Sequence, residues 1–191
     1  MNFLNRLQSS ISKLLAVSLF FWTATAAAVA ESADEVCTRA ETLCSHNHFW
    51  QAVPLFDQAI ELDAKCARAY HGRGNCYNLL GKHDKAIADW TKWIEIEPKD
   101  ARAYQNRGTA YRALNQLPQA IKDYDQAIHL DPRYVKAHYN RGTCYEQLGD
   151  THKALQDYEE ALANASSNPT MKREIEVRIE RVKSQSAKGA D

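Results

Sequence analysis

The sequence predicts an all-α protein in which antiparallel helix pairs stack into a solenoid, and three observations carry that prediction. Ala67 to Asp100, Ala101 to Tyr134 and Val135 to Asn168 align without a gap at a period of 34 residues, the mark of a stacked, quasi-one-dimensional array. Within a copy, apolar and small residues recur at helical spacing. Ala103, Tyr104, Gly108, Tyr111 and Leu114 form one set and Ala120, Tyr124, Ala127, Ile128 and Leu130 a second, so each copy carries two amphipathic helices. Gly81, Asn115 and Gly149 then fall between the two helices, where a left-handed residue ends the first. Pro118 suits the start of a helix, and Glu97-Pro98 and Asp131-Pro132 stop the second helix of a copy.

Along the chain, residues 1–30 read as an export signal. Arg6 and Lys13 precede an apolar run from Leu14 to Trp22, and an Ala-rich stretch closes on Ala28-Val29-Ala30, so cleavage is expected before Glu31. Retention as an uncleaved membrane anchor is the alternative. Residues 31–66 form a degenerate first copy, in phase through Ala52, Phe56, Ala59, Ile60 and Leu62, and read as a terminal, capping unit. Complete copies follow at 67–100, 101–134 and 135–168. A closing helix is expected over 169–184, with Asn168-Pro169 at its start and Met171, Ile175, Ile179 and Val182 on its apolar face. Residues 185–191 read as a disordered tail.

The repeated positions resemble the tetratricopeptide repeat family. In the second copy Tyr70, Gly74, Tyr77, Gly81, Ala86, Trp90, Ile94 and Pro98 match its aromatic, small, apolar and proline places. Tyr104, Gly108, Tyr111, Ala120, Tyr124, Ala127, Ile128 and Pro132 repeat them, as do His138, Gly142, Tyr145, Gly149, Ala154, Tyr158, Ala161 and Leu162. The resemblance implies a right-handed superhelical array and a binding role, and it names no partner. Trp93 stands where the family has Ala, so the second hairpin is expected either to splay there or to insert the indole into the joint with the third. The first copy has Val36, Ala40 and Ala64 where the family has its first aromatic, Gly and Pro.

Arg73, Arg107 and Arg141 share one place in the first helices, and Asp89, Asp123 and Asp157 share one in the second. A guanidinium on a packed face is tolerated when paired, so these read as structural ion pairs inside each hairpin and not as a ligand row.

The five cysteines include Cys76 and Cys144 at a place that Ala110 fills in the third copy, which reads as a small buried apolar position. Cys37 and Cys44 lie two helical turns apart, too far to bridge each other. A disulfide, if one forms, is expected to join the first copy to the second through Cys66 or Cys76.

Net charge is zero, with no block of like charge, which gives no electrostatic basis for nucleic-acid binding. No nucleophile elbow, phosphate-binding glycine loop, zincin motif or Cys-x-x-Cys occurs, so no catalytic residue, cofactor or small-molecule substrate is expected. Cys44, His46 and His48 have metal-ligand character, but in a polar turn they read as solvent-facing, and no metal is expected.

The family resemblance places a peptide in the concave groove lined by the first helices. Transferred residue by residue, the lining is Arg68, His71, Asn75 and Asn78, then Arg102, Gln105, Asn106, Thr109 and Arg112, then Lys136, Tyr139, Asn140 and Thr143. Arg68, Arg102 and Lys136 repeat one basic place, suited to carboxylates. Asn75, Asn106 and Lys136 also match places of the family's clamp for acidic chaperone tails, whereas His71 and Asn140 stand where it has cations. The expectation is a non-catalytic adaptor that binds a segment of a protein partner, exported and engaged in assembling or recruiting an envelope complex. A self-associating oligomer without a separate ligand is the alternative, and a membrane enters only if the signal is uncleaved.

Overall fold

The computed structural model describes residues 31–165 and 168–188. The expected export signal lies outside the described residues. Within the unit Ala33–Asp191 the order is α1 (Ala33–Ser45), α2 (Phe49–Leu62), α3 (Ala67–Leu79), α4 (His83–Ile96), α5 (Ala101–Ala113), α6 (Leu117–Leu130), α7 (Val135–Gln147), α8 (Thr151–Asn164) and α9 (Pro169–Lys188). Each helix packs on its neighbour in sequence, and α3 also touches α1 and α7 touches α5. The result is an all-α array of helical hairpins with odd-numbered helices along one side.

Turn chemistry and packing, more than capping, define these helices. Gly81 and Gly149 have φ of 71° and 80°, and Asn115 and Asn47 take the same left-handed turn at 57° and 62°. Asp100 and Asp150 cap α5 and α8 through their side chains, but Cys66, Lys82, Gln116 and Tyr134 make no such bond. Burial must therefore hold the other ends. Pro54 sits inside α2 on its exposed side, where the carbonyl it leaves unpaired can face water.

The core is a series of small residues facing large rings. Ala103, Ala120, Ala127, Ala137, Ala154 and Ala161 are fully buried, as are Tyr124 and Tyr158. Each buried ring contributes about 1.5–3 kcal/mol. A Cβ at Gly108 would lie 2.8 Å from the Tyr124 ring, so only glycine admits the close approach of α5 and α6. The first hairpin solves the same problem differently. Ala40 replaces the glycine of α1, and the Phe56 ring instead lodges over Gly72 of α3, where a Cβ would lie 2.2 Å from Cζ.

Trp93 does not splay the second hairpin. It inserts into the joint, 2% exposed, in one cluster with Trp90, Ala103 and Ala110, and its Nε1 donates to Glu97 Oε2 at 2.9 Å. At the other end Ile175, Ile179 and Val182 of α9 cover Ala154, Tyr158 and Ala161. The helix runs on to Lys188, past the expected end at 184, which corrects the prediction of a tail from 185. Gln185, Ala187 and Lys188 all favour helix, and the first breaker is Gly189.

Candidate functional site

The three arginine–aspartate pairs form as bidentate forks. Arg107 donates from Nε to Asp123 Oδ2 at 2.8 Å and from Nη2 to Oδ1 at 2.7 Å. Arg73 meets Asp89 at 2.9 and 2.6 Å, and Arg141 meets Asp157 at the same two distances. The remaining Nη1 of each reaches the previous hairpin: Arg73 to Asp57 at 2.5 Å, Arg107 to Thr91 Oγ1 at 3.1 Å, and Arg141 to Asp125 at 2.6 Å. Each guanidinium therefore closes its own hairpin and bolts it to the one before. Sequence reasoning found the forks and missed Asp57, Thr91 and Asp125, although their shared spacing was the available signal.

His138 replaces the tyrosine of the second and third copies and keeps its bond. Tyr70 and Tyr104 hydroxyls donate to the carbonyls of Ala64 and Pro98, at 3.4 and 3.2 Å, and His138 Nε2 lies 3.0 Å from the carbonyl of Pro132. Its Nδ1 stands 3.4 Å from Asp157 Oδ1. The Asp157 hydrogen bond raises the His138 pKa, burial opposes it, and the Pro132 carbonyl adds to the rise. Folding thus favours the imidazolium. Its contribution is full below the ordinary pKa of 6.5 and is lost as pH rises through the higher folded value. His71 shifts the opposite way, lowered first by burial and then by Arg102, so the comparison must be between proteins. Going from pH 5.5 to 8.5, the urea midpoint of the wild type should fall relative to that of His138→Tyr; parallel curves would mean that His138 is not charged in the fold.

The odd-numbered helices bring the predicted groove residues to one side, but the structure divides them into two groups. In the first group the side chains are already engaged. Arg68 is held by Glu41 at 2.8 and 2.5 Å and by Asp34, so it ties α3 to α1. Gln105 is buried, donates to Thr109 at 3.0 Å and accepts from the Tyr134 hydroxyl at 3.2 Å. Thr109 and Thr143 accept from the Tyr124 and Tyr158 hydroxyls, both at 3.3 Å. The Tyr139 hydroxyl donates to Glu174 of α9 at 2.6 Å, and Asn78 Oδ1 lies 3.0 Å from His83 Nδ1. In addition to the side they share, these residues hold neighbouring helices together.

The second group stays open. Asn106 and Asn140 are half-buried and make no side-chain hydrogen bond among the described residues, and Lys136 is exposed with no carboxylate partner among them. Half-buried Arg112 has a buried Nε without a hydrogen-bond partner among the described residues. Arg102 is 65% exposed at its side chain, although Asp100 neutralises it at 2.5 Å. It stands over Trp93, 5.5 Å from the ring centroid, and the His71 ring tilts over the same indole at 4.4 Å. Asn75 Nδ2 lies 2.9 Å from His71 Nε2, which suits an uncharged ring that accepts there. Ala67, Arg68, His71, Trp93, Glu97 and Arg102 line a cleft of about 210 Å³ at this joint.

The turn with metal-ligand character is otherwise engaged. Cys44 Sγ faces Cys76 Sγ at 3.2 Å, and His46 Nδ1 lies 2.8 Å from the carbonyl of Thr42. Among the described residues no group of three or more His, Cys, Asp or Glu side chains is placed to hold a metal ion.

Comparison with known proteins bears on this arrangement. Tetratricopeptide repeat models match residues 67–100, 135–168 and 90–122, and a TPR repeat model matches 108–149. The matches together span 67 to 168 without a break, more than half of the chain. No curated protein matches the sequence. Among solved structures, MamA (41-end) from Desulfovibrio magneticus RS-1 superposes with a TM-score of 0.67 at 22% identity, over 73% of this chain and 79% of its own. The first TPR of Spaghetti (RPAP3) bound to the HSP90 peptide SRMEEVD has a TM-score of 0.60 at 29% identity, covering 65% and 96%. The TPR2B domain of yeast Sti1 in complex with an Hsp70 peptide has a TM-score of 0.60 at 28% identity, covering 62% and 97%. The hairpin period, the glycine-to-ring packing and these matches agree, and the chain belongs to the tetratricopeptide repeat family.

Proposed function

We propose that this protein is a non-catalytic adaptor that holds an extended, acidic segment of a partner protein against its odd-numbered helices. The reading is carried by the open row on α5 and α7, where Asn106, Asn140 and Lys136 present half-buried amides and an ammonium that have no partners among the described residues. Amides of this kind match the donors and acceptors of a peptide backbone, and the ammonium and Arg112 favour carboxylates. The similar TPR domains of RPAP3 and Sti1 hold Hsp90 and Hsp70 peptides, which supports the same class of ligand. Pre-pairing of Arg68 leaves the electrostatic weight on the third and fourth hairpins, at exposed Arg102 and Lys136 and half-buried Arg112.

Peptides selected from a random-sequence display library against the full chain provide the probe. Their affinity should fall between 50 and 300 mM salt. Arg102→Glu with Lys136→Glu should weaken binding at least about tenfold, roughly 1.4 kcal/mol, with an unchanged melting temperature. Lys92→Glu with Lys122→Glu, on even-numbered helices, should leave it unaltered. Equal losses in both variants, or none in either, would remove the groove as the binding surface. Self-association is the second reading, favoured by Val177, which is 63% exposed on α9; a constant monomer mass across a wide concentration range would exclude it.

The basic, apolar and small-residue order of residues 1–30 supports work outside the cytoplasm, in assembling or recruiting an envelope complex. Protein recovered from the envelope should then begin at Glu31 by N-terminal sequencing, and recovery of Met1 would instead support a retained anchor.

A further inference from the structure

The four cysteines at the start of the array are arranged as two facing pairs. Cys37 Sγ of α1 lies 3.9 Å from Cys66 Sγ, at the cap of α3, and Cys44 Sγ lies 3.2 Å from Cys76 Sγ. Both pairs connect the same two helices, one near the start of each and one near the end. Cys144 is remote from them, buried among Leu117, Ala120 and Tyr124. We propose that Cys37–Cys66 and Cys44–Cys76 are disulfides in the oxidised protein, a double staple that fastens the first hairpin to the second.

Geometry permits both bonds. Each sulfur pair must close by about 1–2 Å to reach bonding distance, within the range of side-chain rotation. The sites also fall where the array most needs a staple: the first hairpin lacks the glycine shared by the other three copies and the first tyrosine and terminal proline of the second and third, and an end unit has a neighbour on one side alone. Bridges spanning 29 and 32 positions in sequence restrict the unfolded chain substantially.

Each bridge forms by exchange with a disulfide oxidant, such as glutathione disulfide or an oxidising protein dithiol. One cysteine thiolate attacks the oxidant, releasing one of its sulfurs as a thiol. The facing thiolate then displaces the other, so that two protons and two electrons leave the pair and the oxidant ends as two thiols. Cys37 is fully buried, and burial together with the adjacent Cys66 pushes its thiol up to about 12. Cys76 is 1% exposed and likewise raised, by burial first and by Cys44 second. Half-buried Cys44 is the accessible member of its pair. The Cys37–Cys66 bond therefore closes during folding, before α1 docks, and the Cys44–Cys76 bond can close or open later.

The full chain, reduced and unfolded, is refolded in a glutathione buffer with the ratio of an oxidising compartment, then alkylated in denaturant and weighed. One alkylated thiol is expected, at Cys144. Cleavage at Arg39, Lys65, Arg68 and Arg73 separates the four other cysteines, so trypsin should yield the two predicted linked pairs and no others. Three or five alkylated thiols, or any other linkage, would overturn the proposal. Cys66→Ala and Cys76→Ala should each remove one bridge and keep the other, while Cys144→Ala keeps both. Reduction should lower the melting temperature by at least about 5 °C; equal melting of oxidised and reduced protein would show that the bonds, even if formed, do not staple the hairpin. The buffer sets the redox poise, so the outcome is independent of whether the chain is exported and of what its groove binds.

Discussion

Replacing Asp123 with alanine is expected to lower the unfolding free energy by about 2–4 kcal/mol. Asp123 accepts both arms of the Arg107 fork, and the two side chains are 8% and 18% exposed. Removing the carboxylate leaves a guanidinium on a packed face with Thr91 as its remaining fixed acceptor, at 3.1 Å. Much of the cost is that stranded charge and not the lost attraction. Arg107→Met added to Asp123→Ala should therefore recover part of the loss, since it removes the charge and keeps apolar volume. Urea unfolding followed by helical circular dichroism measures both. A loss below about 0.5 kcal/mol in the single variant would mean that water already screens the pair.

Gly72→Ala should destabilise by about 1–2 kcal/mol, the overpacking cost less the propensity gain, against the usual trend for this substitution in a helix. Propensity alone would favour alanine by about 1 kcal/mol. The new Cβ, however, would lie 2.2 Å from Phe56 Cζ and 2.4 Å from Cε1, and that ring is fully buried. Overpacking of this kind costs about 1–3 kcal/mol or more, so the clash wins. Phe56→Leu in the same chain should relieve it, giving a double variant less destabilised than the two single losses added together. Stabilisation by Gly72→Ala would show that the Phe56 ring does not rest on α3, and with it that the first hairpin docks in another way.

The period, the helix pairs, the left-handed turns and the arginine forks were legible in the sequence because each rests on spacing within one copy. Val36, Phe56, Tyr124 and Tyr158 are buried because helical periodicity alone determines which face a residue occupies. The groove was legible as a face but not as a set of free side chains. Arg68, Gln105 and Tyr139 occupy the expected side, and the structure shows them engaged with Glu41, Tyr134 and Glu174 of neighbouring units. The third contact of each fork arginine, the seat of Phe56 over Gly72, the insertion of Trp93 and the pairing of the cysteines have the same origin. All are contacts between helices of successive hairpins or across a hairpin joint. Their partners depend on the angle and offset at which one hairpin stacks on the next, a geometry that small-residue and ring packing across the whole array decides and that no single copy's spacing contains.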